Sequence, residues 1–77
     1  MIVVQQQNII HSAQNLGQAI RARRKKLGYS QAELAQFNQC SIRFISELER
    51  GKEGAGLGQV IRIMNSIGLD IAALERG

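Results

Sequence analysis

An all-α domain built from four short helices is what this 77-residue sequence predicts. Three observations lead there. Apolar residues recur at spacings of three, four and seven through most of the chain. Serines stand at 12, 30 and 41, where N-caps belong, and glycines stand at 28, 51 and 68, where helices would stop. The chain also contains no proline to break these segments.

Residues 1–11 show no helical period. Ile2, Val3 and Val4 have β-propensity, so this stretch reads as an extended arm or a short strand. Ser12 caps a first helix over 13–26, with Leu16, Ile20 and Leu27 on one face. Lys25 and Lys26 lie near its negative pole, and Gly28 follows as the C′ residue. Ser30 and Glu33 have the spacing of a capping box, which opens a second helix over 31–37 with Leu34 and Ala35 inward. Asn38 and Gln39 make a turn. Ser41 then caps a third helix over 42–50, with Ile45 and Leu48 in the core. A loop follows, carrying glycines at 51, 54 and 56. The fourth helix covers 57–67, with Leu57, Val60, Ile61, Met64 and Ile67 on one stripe. After Gly68, residues 69–74 alternate imperfectly, as a short strand or a frayed helical turn would. The expected organisation is an arm over 1–11, a domain over 12–68 and a tail over 69–77.

Size and charge narrow the function. A chain this short allows one domain with a small core and gains from burying surface against a second copy. The formal net charge is +4. Residues 1–32 hold Arg21, Arg23, Arg24, Lys25 and Lys26 and no acid. Such a cluster suits a polyanionic partner, although a solvated helix face accounts for it equally well. Cys40 is the only cysteine, which excludes an intrachain disulfide or a cysteine-based zinc site. The longest apolar runs are too short for a membrane span or signal peptide, so the cytoplasm is the expected compartment.

Catalytic chemistry finds little to work with. The sole histidine, His11, lies in the arm, and Cys40 reads as a small core residue at the turn. Glu47 and Glu49 are two apart on a helix and so point in different directions. The glycines at 51–58 lack the Gly-Lys-Ser/Thr element of a phosphate loop. No enzyme activity, cofactor or metal is expected.

DNA recognition needs donors that fix phosphates and side chains that read base edges from the start of a helix. Residues 28–52, GYSQAELAQFNQCSIRFISELERGK, supply both in the layout of a helix-turn-helix. Ser30 and Gln31 stand where they would donate to a phosphate, Ser30 serving as a cap as well. Ser41, Ile42, Arg43 and Ser46 form the leading surface of the third helix. Arg43 alone of these can make a bidentate contact to guanine, and Ile42 can pack on a thymine methyl. Arg50 and Lys52 follow as phosphate contacts.

LGYSQAELA followed by FISELERGK resembles the Xre/Cro-type helix-turn-helix family of phage repressors and bacterial regulators. The resemblance covers residues 12–68 and includes Gln31, Glu33, Leu34, Ala35, Ile45, Glu49, Gly51 and Lys52. It implies a lambda-repressor-like domain of four to five helices, dimeric on a palindromic operator. It further implies a salt bridge between Arg24 and Glu49 that sets Arg24 beside a phosphate. Two positions depart from the pattern. Gln39 stands where many members have glycine, so either it takes a left-handed backbone or Asn38 does. Asn38 itself stands where many have an apolar or small residue. The ending IGLDIAAL is similar to the C-terminal strand of HipB-type antitoxins, which pairs across the dimer through the positions of Leu69, Ile71 and Ala73. That similarity implies an autoregulating repressor with a HipA-like kinase toxin as partner. A stand-alone regulator, such as a phage repressor or restriction-modification controller, and a module that binds protein rather than DNA are the alternatives.

Overall fold

The computed structural model describes residues 9–73 and 75. Within them lie four helices: α1 Ala13–Lys26, α2 Gln31–Phe37, α3 Ile42–Glu49 and α4 Leu57–Ser66. Arg50 and Ile67, expected inside α3 and α4, are instead their C-caps.

Each of the first three helices starts where a serine hydroxyl accepts an otherwise unpaired backbone N–H: Ser12 from Asn15, Ser30 from Glu33, and Ser41 from Phe44. At α2 the capping box is complete, because Glu33 Oε1 accepts the Ser30 N–H at 2.9 Å. Gly56 begins α4 with no side-chain cap.

The core is formed by Ile20, Leu34, Ala35, Ile45, Leu48, Val60, Ile63, Met64 and Ile67, with Leu16, Tyr29, Cys40, Phe44, Ala55 and Leu69 packed against it. Two expected core positions on α4 lie outside the core. Leu57 and Ile61 lie on the flank of the α4 stripe, whose centre runs through Val60, Ile63, Met64 and Ile67; Leu57 is 68% exposed and Ile61 half-buried. On α1 the inward face continues from Ile20 to Arg24 rather than to Leu27, which faces solvent.

Helix α3 packs against both α1 and α2. The α1 contact depends on Gly17, which is buried. A Cβ there would overlap Leu48 O and come within 2.7 Å of Glu49 O, both backbone atoms that cannot give way. Gly51 marks a second close approach, since a Cβ would fall 2.8 Å from Gln14 Cα and its φ is +90°. Polar links close the far end of the domain. Arg23 Nε donates to Ile67 O at 2.8 Å, and Asn38 Nδ2 donates to Leu34 O and to Ser66 Oγ, each at 3.0 Å. Asn38 therefore ties the turn of the motif to the end of α4. The left-handed residue is Gln39, with φ +53°, while Asn38 has φ −106°.

The expected C-terminal strand is not formed among the described residues. The segment 69–73 has no regular structure. Leu69 is half-buried against the core, whereas Ile71 and Ala73 are exposed. The expectation for residues 1–8 lies outside the described residues.

Candidate nucleic-acid interface

The turn between α2 and α3 leaves the N-terminal half of α3 uncovered. Ser41, Ile42 and Arg43 are exposed and Ser46 is half-buried. Their placement follows from the core: Ile45 and Leu48 anchor the inner face of α3, which turns 42, 43, 46 and 47 outward. The Arg43 side chain is 84% exposed, and Glu47 lies 3.6 Å from its Nε one turn further on. Lys52, beyond the C-cap, donates from Nζ to Glu47 Oε2 at 3.2 Å.

Behind this surface sits the Arg24–Glu49 pair. Arg24 Nε and Nη2 donate to Glu49 Oε2 and Oε1 at 2.6 and 2.9 Å, a bidentate arrangement. Arg24 Nη1 donates to Tyr29 O at 2.8 Å, and Gln31 Nε2 donates to Glu49 Oε1 at 3.0 Å. The pair thereby joins α1, the α1–α2 turn, the start of α2 and the end of α3. Burial alone would raise the Glu49 pKa. The hydrogen bonds from Arg24 and Gln31, with the charges of Arg24 and then Arg21, outweigh it and hold the carboxyl below its ordinary value. The hydrogen bond to Glu49 raises the Arg24 pKa despite burial of the guanidinium.

The Arg24–Glu49 salt bridge implied by the resemblance is formed, with Arg24 only 7% exposed and its guanidinium bonded to Glu49 and to Tyr29 O. Arg23 is likewise bonded to the end of α4. Of the basic cluster on α1, Arg21, Lys25 and Lys26 remain exposed. Arg21, named from the sequence within the basic cluster but given no individual site role there, lines an open cleft of about 440 Å³ with Gln14, Gln18, Gln31, Ser46, Glu49 and Arg50. The cleft brings α1 alongside the start of α2 and the exposed side of α3. The signal for Arg21, Gln14 and Gln18 was present as a polar stripe at spacings of three, four and seven on α1.

Ser30 is exposed, and its hydroxyl, which accepts from Glu33, retains its own proton. Arg50 and Lys52 are both exposed, and Arg50 lines the cleft. The structure thus brings Gln31, Ser46 and Arg50 to the cleft, and joins Arg43 and Lys52 through Glu47 on the exposed face of α3. Neither Ile71 nor Ala73 lines the cleft. Cys40 is partly buried at the turn, and burial pushes its thiol pKa up, which keeps it in the unreactive protonated form.

A scaffold of two short, serine-capped helices, with the second exposed along its leading edge, is matched by the helix-turn-helix domain family over residues 15–76. The chain belongs to the helix-turn-helix domain family. That family is of the DNA-binding regulator type. This helix-turn-helix protein is similar to the uncharacterized HTH-type transcriptional regulator y4mF of Sinorhizobium fredii, at 34% identity, covering 88% of this chain and 90% of that protein. Among solved structures it is similar to the HipA-HipB-O2-O3 complex, at TM-score 0.80 and 25% identity, covering 90% of this chain and 97% of that one. It is also similar to the clp gene regulator ClgR of C. glutamicum, at TM-score 0.72 and 25% identity, covering 87% and 85%. Among the described residues no helix is long and apolar enough to cross a membrane.

Proposed function

We propose that this helix-turn-helix protein is a sequence-specific transcriptional repressor that binds an inverted-repeat operator as a homodimer. The observation that carries the reading is the exposed leading face of α3, with Arg43 at 84% exposure, braced from beneath by the Arg24–Glu49 pair. In this reading Ser41, Ile42, Arg43 and Ser46 meet base edges in the major groove. Ser30 and Gln31 at one end, and Arg50 and Lys52 at the other, bond the flanking phosphates. Selection of bound sequences from a random DNA pool tests it. The expected product is a two-fold symmetric site with half-sites one helical turn or a multiple apart, and a pool that yields no enriched sequence would refute it.

The likeness to HipB in complex with HipA and DNA supports a second part: the chain represses its own operon and binds a HipA-like kinase toxin. In that dimer Leu69, Ile71 and Ala73 form a strand that pairs with its two-fold mate. A stand-alone regulator is the competing reading, supported by the likeness to y4mF over nearly that protein's whole length and to ClgR. Co-purification with the product of the adjacent gene separates the two.

A further inference from the structure

Glu47 has no part in the reading above, yet it lies in the middle of the surface that reading assigns to DNA. It sits one turn after Arg43, 3.6 Å from that guanidinium, and it accepts from Lys52 Nζ at 3.2 Å. Its side chain is 24% exposed between two cations that are 84% and 63% exposed. One carboxylate therefore neutralises a base-facing arginine and a phosphate-facing lysine together.

Helix physics does not explain the placement. An acid in the last turn opposes the helix dipole, and Arg before Glu at i,i+4 is the weaker of the two orders. Exposed ion pairs of this kind add little to folding. On a polyanion-binding face, an acid between two cations lowers affinity for any duplex.

We propose that Glu47 is a specificity-determining residue, an internal counter-ion that binding displaces at low cost only where a cytosine amino group replaces its two cations. The inference rests on the reading that α3 enters the major groove. There Lys52 turns to a phosphate and Arg43 to a base edge, and the carboxylate is left facing the groove. Cytosine presents only the N4 amino donor on that edge, which satisfies a carboxylate. Guanine presents N7 and O6 and thymine O4, all acceptors, and adenine sets N7 beside its amino group. Against an acceptor the carboxylate is desolvated and unpaired, which is costly. Glu47 thus suppresses binding to arbitrary DNA and rewards one base pair beside that contacted by Arg43.

The test compares the full chain with Glu47→Gln on two duplexes of equal length, the operator selected by the wild type and a random sequence, over a salt titration. The variant is expected to bind random duplex roughly tenfold more tightly, with a salt slope steeper by about one per half-site as Lys52 is freed. Its specific-to-random ratio should fall roughly tenfold, and selection with it should replace the cytosine by adenine, the base that glutamine pairs with. An unchanged ratio in a variant that still binds the operator overturns the role of Glu47 and leaves the α3 reading standing. So does a drop in melting temperature without a change in ratio, which makes the residue structural. Failure of the wild type to select any DNA overturns the α3 reading and this inference with it.

Discussion

Arg24 and Glu49 sit 25 residues apart in sequence and share one buried, bidentate contact. Removing one partner of such a pair leaves the other as an uncompensated buried charge. Arg24→Ala should therefore destabilise the domain by about 3–5 kcal/mol in urea unfolding, whereas a double change to apolar residues of similar volume should cost far less. The same pair predicts a pH dependence. Glu49 has its pKa lowered on folding, so its contribution is complete above the ordinary carboxylate value of about 4.3. It is lost as the pH falls through the lower folded-state value. Acid titration of the wild type should show this loss, and titration of Arg24→Ala should show much less of it. Composition could not distinguish these cations. Arg23, Arg24 and Lys25 are neighbours in the sequence, but the turn of the helix sends the first to the Ile67 carbonyl, the second to a buried carboxylate and the third to solvent.

The helices themselves were largely legible because their signals are local. A cap serine acts on an N–H three residues away, so Ser12, Ser30 and Ser41 mark their helices without reference to the rest of the chain. Packing between elements is a different matter. The role of Gly17 depends on the backbone of Leu48 and Glu49, more than thirty residues on, and nothing near position 17 announces it. The Asn38–Ser66 bond is similarly remote, which is why Asn38 reads as an anomaly in sequence and as a tie in the structure. Periodicity also left the edges of the α4 face ambiguous, so Ile63 is buried while Leu57, expected in the core, is exposed. Gly17→Ala should push α1 away from α3 at a cost of about 1–3 kcal/mol, read as a lower urea midpoint with an unchanged slope. Helix α3 would shift relative to α1, so operator affinity should fall as well.

At the level of the whole molecule, charge and exposed apolar surface bear on assembly. The net charge of +4 favours a polyanionic partner, and two of its cations, Arg23 and Arg24, also make contacts within the fold. Ile71 and Leu57, at 53% and 68% exposure, leave apolar surface uncovered in the single chain. In the proposed homodimer, Ile71→Glu should shift sedimentation from dimer to monomer and weaken operator binding while leaving the monomer fold intact, because Ile71 contributes nothing to the core. The site was legible as a motif, since cap, turn and exposed leading face follow from local pattern. The cleft formed by α1 with α2 and α3 was not, since it exists only once the helices are packed. In the proposed complex α3 reads bases through Arg43. Equilibrium binding of the wild type and Arg43→Ala to the selected operator, and to variants of it at each base pair, measures this most directly. Arg43→Ala should lose about 1–3 kcal/mol of binding and show relaxed preference at one position of each half-site. An unchanged preference at every position in a variant that still binds would contradict it.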